Sequence, residues 1–100
     1  MPDNQALIML DTGLAFEGAW TVVQWQGVDD NWHDVTGWQG RVRDGQVRWR
    51  VAAKDFGTGP FHWVIYDKMG GIAQAISTSF RLPASDNQTV TVEVSPITGK

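Results

Sequence analysis

Along most of the chain hydrophobic residues recur at every second position, and the three- and four-residue spacing of a helix face hardly persists beyond two turns. In Gln46–Val51, Val47, Trp49 and Val51 point one way while Gln46, Arg48 and Arg50 point the other. Residues 89–94 repeat the pattern, with Val90, Val92 and Val94 on one face. Between residues 72 and 82, the alternation sets Ile72, Ile76, Phe80 and Leu82 opposite Ala73, Ala75, Ser77, Ser79 and Arg81. Residues 6–10 are apolar throughout, which predicts a strand covered on both sides. Further strands are expected at 20–26, 32–36, 41–43 and 61–67.

Turn-forming residues separate these runs at short intervals: 27–31, Asp44-Gly45, 68–71 and 83–87. Asp44-Gly45 is the kind of dipeptide that closes a two-residue hairpin, because both positions accept positive φ. Seven or eight short strands so punctuated predict an all-β, antiparallel two-sheet sandwich. One hundred residues suit a single domain, expected to span residues 1–100 with an ordered core at about 6–94 and polar ends at 1–5 and 95–100.

Within this strand frame, Gln24-Trp25-Gln26 followed by Trp32-His33-Asp34-Val35-Thr36-Gly37 resembles a stretch common in bacterial immunoglobulin-like domains. There a Gln-Trp-Gln strand, a polar turn and a Trp-x-Asp-Val-x-Gly strand follow one another. Asp55-Phe56-Gly57 ahead of Phe61 looks like the Asp-x-Gly-x-Tyr corner of that fold, and residues 67–82 resemble its closing hairpin. The resemblance runs from about Leu7 to Leu82. Three features depart from it: no cysteine pair, Thr58-Gly59-Pro60 inserted before the corner aromatic, and a strand at 89–94 beyond the closing one. The resemblance implies an immunoglobulin-like (fibronectin III-like) sandwich acting as an interaction module of an extracellular or cell-surface protein. It brings no catalytic residue with it.

Tryptophan, at six residues, is the compositional oddity. Parity sorts the rings. If Gln26 pairs with Trp32, one face of the hairpin holds Val23, Trp25, His33 and Val35, and the other holds Trp20, Val22, Gln24, Gln26, Trp32 and Asp34. The first face is the expected core. Trp25 and Trp49 are predicted inside, joined by Trp63 with Phe61 and Ile65. Trp20 and Trp32 are predicted outside, with Trp38 in the connection that follows. For Trp20 and Trp32, packing is favoured over ligand contact, since single apolar residues at a surface are ordinary. The sharper alternative is an aromatic platform for a sugar ring, with Gln24, Gln26 and Asp34 supplying hydrogen bonds.

Arg41, Arg43, Arg48 and Arg50 are half of the eight basic residues and fall within ten positions. Across a two-residue turn Arg41 is expected opposite Arg48, all four on one face. A solvated or carboxylate-paired face is favoured over a site for an anionic partner, because the net charge is −3. That charge also argues against nucleic acid. Asp29-Asp30-Asn31 lacks the spacing of a calcium loop and reads as a turn. His33 and His62, the two histidines, have no third ligand at a recognisable spacing, so no metal or cofactor is expected. Residues 57–60 carry glycines but no lysine or following helix, so no phosphate cradle is expected. No apolar run approaches the roughly 20 residues of a membrane span, and no basic region precedes the short N-terminal apolar run as a signal peptide requires.

The expectation is therefore a non-catalytic interaction or structural spacer module, its partner another protein. The alternative is a carbohydrate-binding module that holds a polysaccharide on Trp20 and Trp32. A small enzyme with a site assembled from loops ranks below both.

Overall fold

Alternation does produce strands throughout. The computed structural model describes residues 6–13 and 15–94. Its strands are β1 (Ala6–Asp11), β2 (Trp20–Gln26), β3 (Trp32–Arg41), β4 (Gln46–Val51), β5 (Phe61–Tyr66), β6 (Ala73–Ile76) and β7 (Thr89–Glu93), with one 3-10 turn at Ala53–Asp55. They form two sheets, a three-stranded one in the order β4-β1-β7 and a four-stranded one in the order β3-β2-β5-β6. The polar ends expected at 1–5 and 95–100 lie outside the described residues. Among the described residues no helix is long and apolar enough to cross a membrane.

The core is the product of two inner faces. Ala6, Ile8 and Leu10 of β1, Val47 and Val51 of β4 and Val92 of β7 line one side; Val23, Trp63, Ile65 and Ala75 line the other, and all are buried. Val23 pairs with Trp63 and Thr21 with Ile65, so these four side chains share a face. Burying each Val, Ile or Leu contributes about 1.5–3 kcal/mol. Trp63 is fully enclosed, as the alternation predicts. Trp49 packs against this core half-buried, and a Cβ on Gly40 across the gap would lie 3.0 Å from its ring. The missing side chain at Gly40 is what lets the indole in.

Four expectations are corrected. The three-stranded sheet is mixed, because β7 runs parallel to β1, with Leu7 opposite Thr89 and Leu10 opposite Val92. β1 is covered on one side only: Leu7 and Met9 face outward, half-buried. On β6 and the residues flanking it, Ala75 and Ser77 are buried, whereas Ile72 and Ile76 are exposed. The reason is volume. Trp63 and Ile65 already fill that part of the core, so the strand beside them turns its small residues inward; Ala75 pairs with Ile65. Finally, residues 32–41 form one strand with a bulge: Asp34 pairs with Gln24 but Gln39 pairs with Val22, five steps on β3 against two on β2. An odd number of steps reverses the side on which each later β3 residue points. Trp38 therefore lies within a strand and packs against the core.

Candidate functional site

The predicted platform residues come from two adjacent strands, Trp20, Gln24 and Gln26 from β2 and Trp32 and Asp34 from β3, and share the outer face of the four-stranded sheet. The register is the expected one: Gln24 opposite Asp34, Trp25 opposite His33, Gln26 opposite Trp32. Trp20 and Trp32 are both half-buried. Trp32 stacks on His62 of β5, ring centroids 3.7 Å apart and planes 14° from parallel. The Arg41 guanidinium lies 6.0 Å from the centre of the Trp20 ring. His62 Nε2 donates to Gln24 Oε1 at 2.8 Å, and Gln24 Nε2 donates to Asp34 Oδ1 at 2.8 Å. Gln26 Nε2 donates to the Asp30 carbonyl at 3.1 Å. The polar groups of this face thus bond to one another. Burial lowers the His62 pKa and raises that of Tyr66, to which the Asp34 charge adds. A hollow of about 260 Å³ lies at the other end of the face, lined by Trp20, Asp34, Gln39 and Tyr66.

The four arginines do not share one face. The hairpin turn closes at Arg43 and Gln46, and beyond it the strands part into different sheets. Arg41 stays in the four-stranded sheet opposite Trp20, while Arg48 and Arg50 lie in the three-stranded sheet opposite Met9 and Leu7. Among the described residues no arginine is within ion-pair distance of a carboxylate; the one ion pair is His33 Nε2 with Asp29 Oδ1 at 3.3 Å. That aspartate closes the 27–31 turn. Its carboxylate accepts the Asn31 backbone N–H at 3.0 Å, which, with His33 beside it, holds the Asp29 pKa below the usual carboxylate value. No group of three or more metal-ligating side chains converges among the described residues.

Trp25 is the ring the parity argument misjudges. Its side chain does face inward, between His33 (ring centroids 4.9 Å apart) and its cross-strand partner Phe61, yet it is 43% exposed. The opposite sheet ends here: Ala6 pairs with Val51, and the chain then leaves through Ala53–Asp55. An open groove remains on both sides of Trp25. One half, about 540 Å³, is lined by Asp34, Thr36, Trp38, Arg50 and Ala52; the other, about 360 Å³, by Gly27, Val28, Thr58 and Pro60. Trp25, Asp55 and Phe61 line both. A Cβ on Gly27 would lie 3.2 Å from Trp25 Cζ3 and 3.1 Å from His33 Nε2, so that glycine leaves the space the two rings occupy. Among the described residues the Asp55 carboxylate and the Arg50 guanidinium bond to no other protein group.

Of the groove residues, sequence reasoning singled out Trp25, Asp34 and Arg50, each in another role, and missed Thr36, Trp38, Asp55 and Thr58 as lining residues. The available signal was Thr36-Gly37, a small polar pair inside a strand-like run, which marks the bulge that swings Trp38 inward. Comparison with family models, with curated proteins and with solved structures gives no significant match. The protein defined by these features is a small all-β domain of two sheets with an aromatic groove at one end.

Proposed function

We propose that this domain is a non-catalytic binding module that holds its ligand in the groove around Trp25. The observation that carries the reading is the exposed Trp25 ring set in a concavity bordered by Asp55 and Arg50, whose charged groups have no bonding partner among the described residues. Concave sites that combine apolar walls with a few convergent polar groups are where ligands bind. The non-catalytic reading is supported by the two histidines, whose contacts go to Trp25, Asp29, Trp32 and Gln24. An immunoglobulin-like relationship is supported by the strand distribution, with β1 and β4 in one sheet and β2, β3, β5 and β6 in the other. By that analogy the module belongs to a bacterial surface or secreted protein.

A second reading, the outer-face platform, is favoured by the half-buried Trp20 and Tyr66 around their 260 Å³ hollow. Parallel screens of wild type, Trp25→Ala and Trp32→Ala on glycan and peptide arrays separate the two. The groove reading expects hits that vanish in Trp25→Ala and persist in Trp32→Ala. The opposite pattern establishes the outer face instead.

A further inference from the structure

The groove has a shape and a donor–acceptor supply that select among ligands. Resting on the groove reading, we infer that its ligand is a neutral linear oligosaccharide. Two hollows meet at one ring: Trp25, Phe61 and Asp55 belong to both, so the track is elongated, with the aromatic surface midway. Such a track suits a chain of repeating units better than a single compact molecule.

The Trp25 ring is held before anything binds. His33 tilts against it at 34°, Phe61 pairs with it across the strands, and the 27–31 turn holds His33 through Asp29. A fixed flat surface loses little freedom on contact, and an indole face attracts the slightly positive C–H groups of a pyranose ring.

The polar groups fit hydroxyls. Asp55 accepts, Arg50 donates, and the Thr36 and Thr58 hydroxyls lie along opposite halves. Thr58 Oγ1 donates to the Asp55 carbonyl, which leaves its lone pairs to accept. Sugar hydroxyls both donate and accept, so this mixed set is matched without any charge on the ligand. Charge excludes the other chains. Asp55 borders both hollows, while Asp34 turns its carboxylate to Gln24 on the outer face, so an acidic glycan meets the Asp55 charge in either half and is repelled. A cationic peptide suits Asp55 but meets Arg50 in the larger half.

The test titrates the intact domain with cellohexaose, xylohexaose, mannohexaose, a hexagalacturonate and a lysine-rich peptide. Binding is read by calorimetry and by the resonances of the six indole N–H groups. The expected result is that a neutral hexasaccharide binds, moves the Trp25 resonance most, and holds its affinity as salt is added. Trp25→Ala then weakens it by about tenfold or more. Asp55→Asn, which leaves the ring in place, weakens it several-fold. Tighter binding of the hexagalacturonate or the peptide, with the Trp25 resonance still moving most, overturns the neutral-sugar inference and leaves the groove reading standing. A sugar that moves Trp32 and leaves Trp25 unchanged overturns the groove reading as well. Silence from all three neutral hexasaccharides overturns the inference.

Discussion

Ser77 shows how much one small side chain does at the centre of this domain. Its hydroxyl accepts the Trp63 backbone N–H at 2.9 Å and donates to the Thr78 carbonyl at 2.9 Å. Trp63 is fully enclosed, so that amide has no water to turn to. Ser77→Ala keeps the volume nearly constant and strands the amide, and it should reduce stability by about 1–3 kcal/mol in urea denaturation. An unchanged midpoint would mean that another acceptor moves in. The same residue explains a misread strand. By pattern, Ile72 and Ile76 outrank Ala75 and Ser77 as core residues; in space, two large neighbours on β5 leave room only for the small ones. Residue-by-residue hydrophobicity carries no information about how much volume its neighbours have already taken.

At the scale of elements, the Asp44-Gly45 turn combines local and distant control. Both residues have positive φ, 55° and 75°, as the dipeptide predicts. The backbone N–H groups of Asp44 and Gly45 donate to the two Glu17 carboxylate oxygens at 3.0 Å each, and the Gly45 carbonyl accepts the Thr12 N–H at 2.8 Å. A Cβ on Gly45 would overlap the Gly13 carbonyl oxygen, whereas one on Gly57, also at positive φ, meets nothing. Gly45→Ala should therefore lower stability by about 2–4 kcal/mol and Gly57→Ala by about 1–2 kcal/mol, the left-handed backbone penalty alone. Equal losses in thermal unfolding would remove the clash from the account. The turn was legible because its chemistry is local. The Glu17 clamp was not, since it joins residues 27 and 28 positions apart. The β3 bulge was half legible: Gly37 hints at it, but only pairing with β2 fixes how many residues it takes up.

At the scale of the molecule, two sheets and their strand content follow from alternation and turns. Direction does not. Alternation reads the same from either end, so nothing in residues 89–94 says that β7 lies parallel to β1. Trp20, Gln24, Gln26, Trp32 and Asp34 fall on one face because parity is a property of neighbouring strands. Trp25 was misplaced because its enclosure depends on how far the opposite sheet extends. One global property is accessible to titration. Burial beneath Trp32 depresses the folded-state pKa of His62 below its ordinary 6.5, so the unfolded chain takes up this proton first as pH falls. The stabilisation is complete above 6.5 and is lost as pH falls through the lower folded value. The melting temperature should drop between about pH 7.5 and about pH 5, and His62→Gln should flatten that slope. A slope unaltered by the substitution would assign it to another group.

The parallel β7 has a consequence for how the chain is made. β1 leaves the ribosome ahead of the other six strands described, yet its partner on one side, β7, is the last of the seven to emerge. Until then Leu7, Met9 and Asp11 border an open row of backbone amides and carbonyls, the kind of margin that recruits strands from other molecules. A nascent or prematurely ended chain is thus sticky in a way the finished one is not, and β7 acts as the seal.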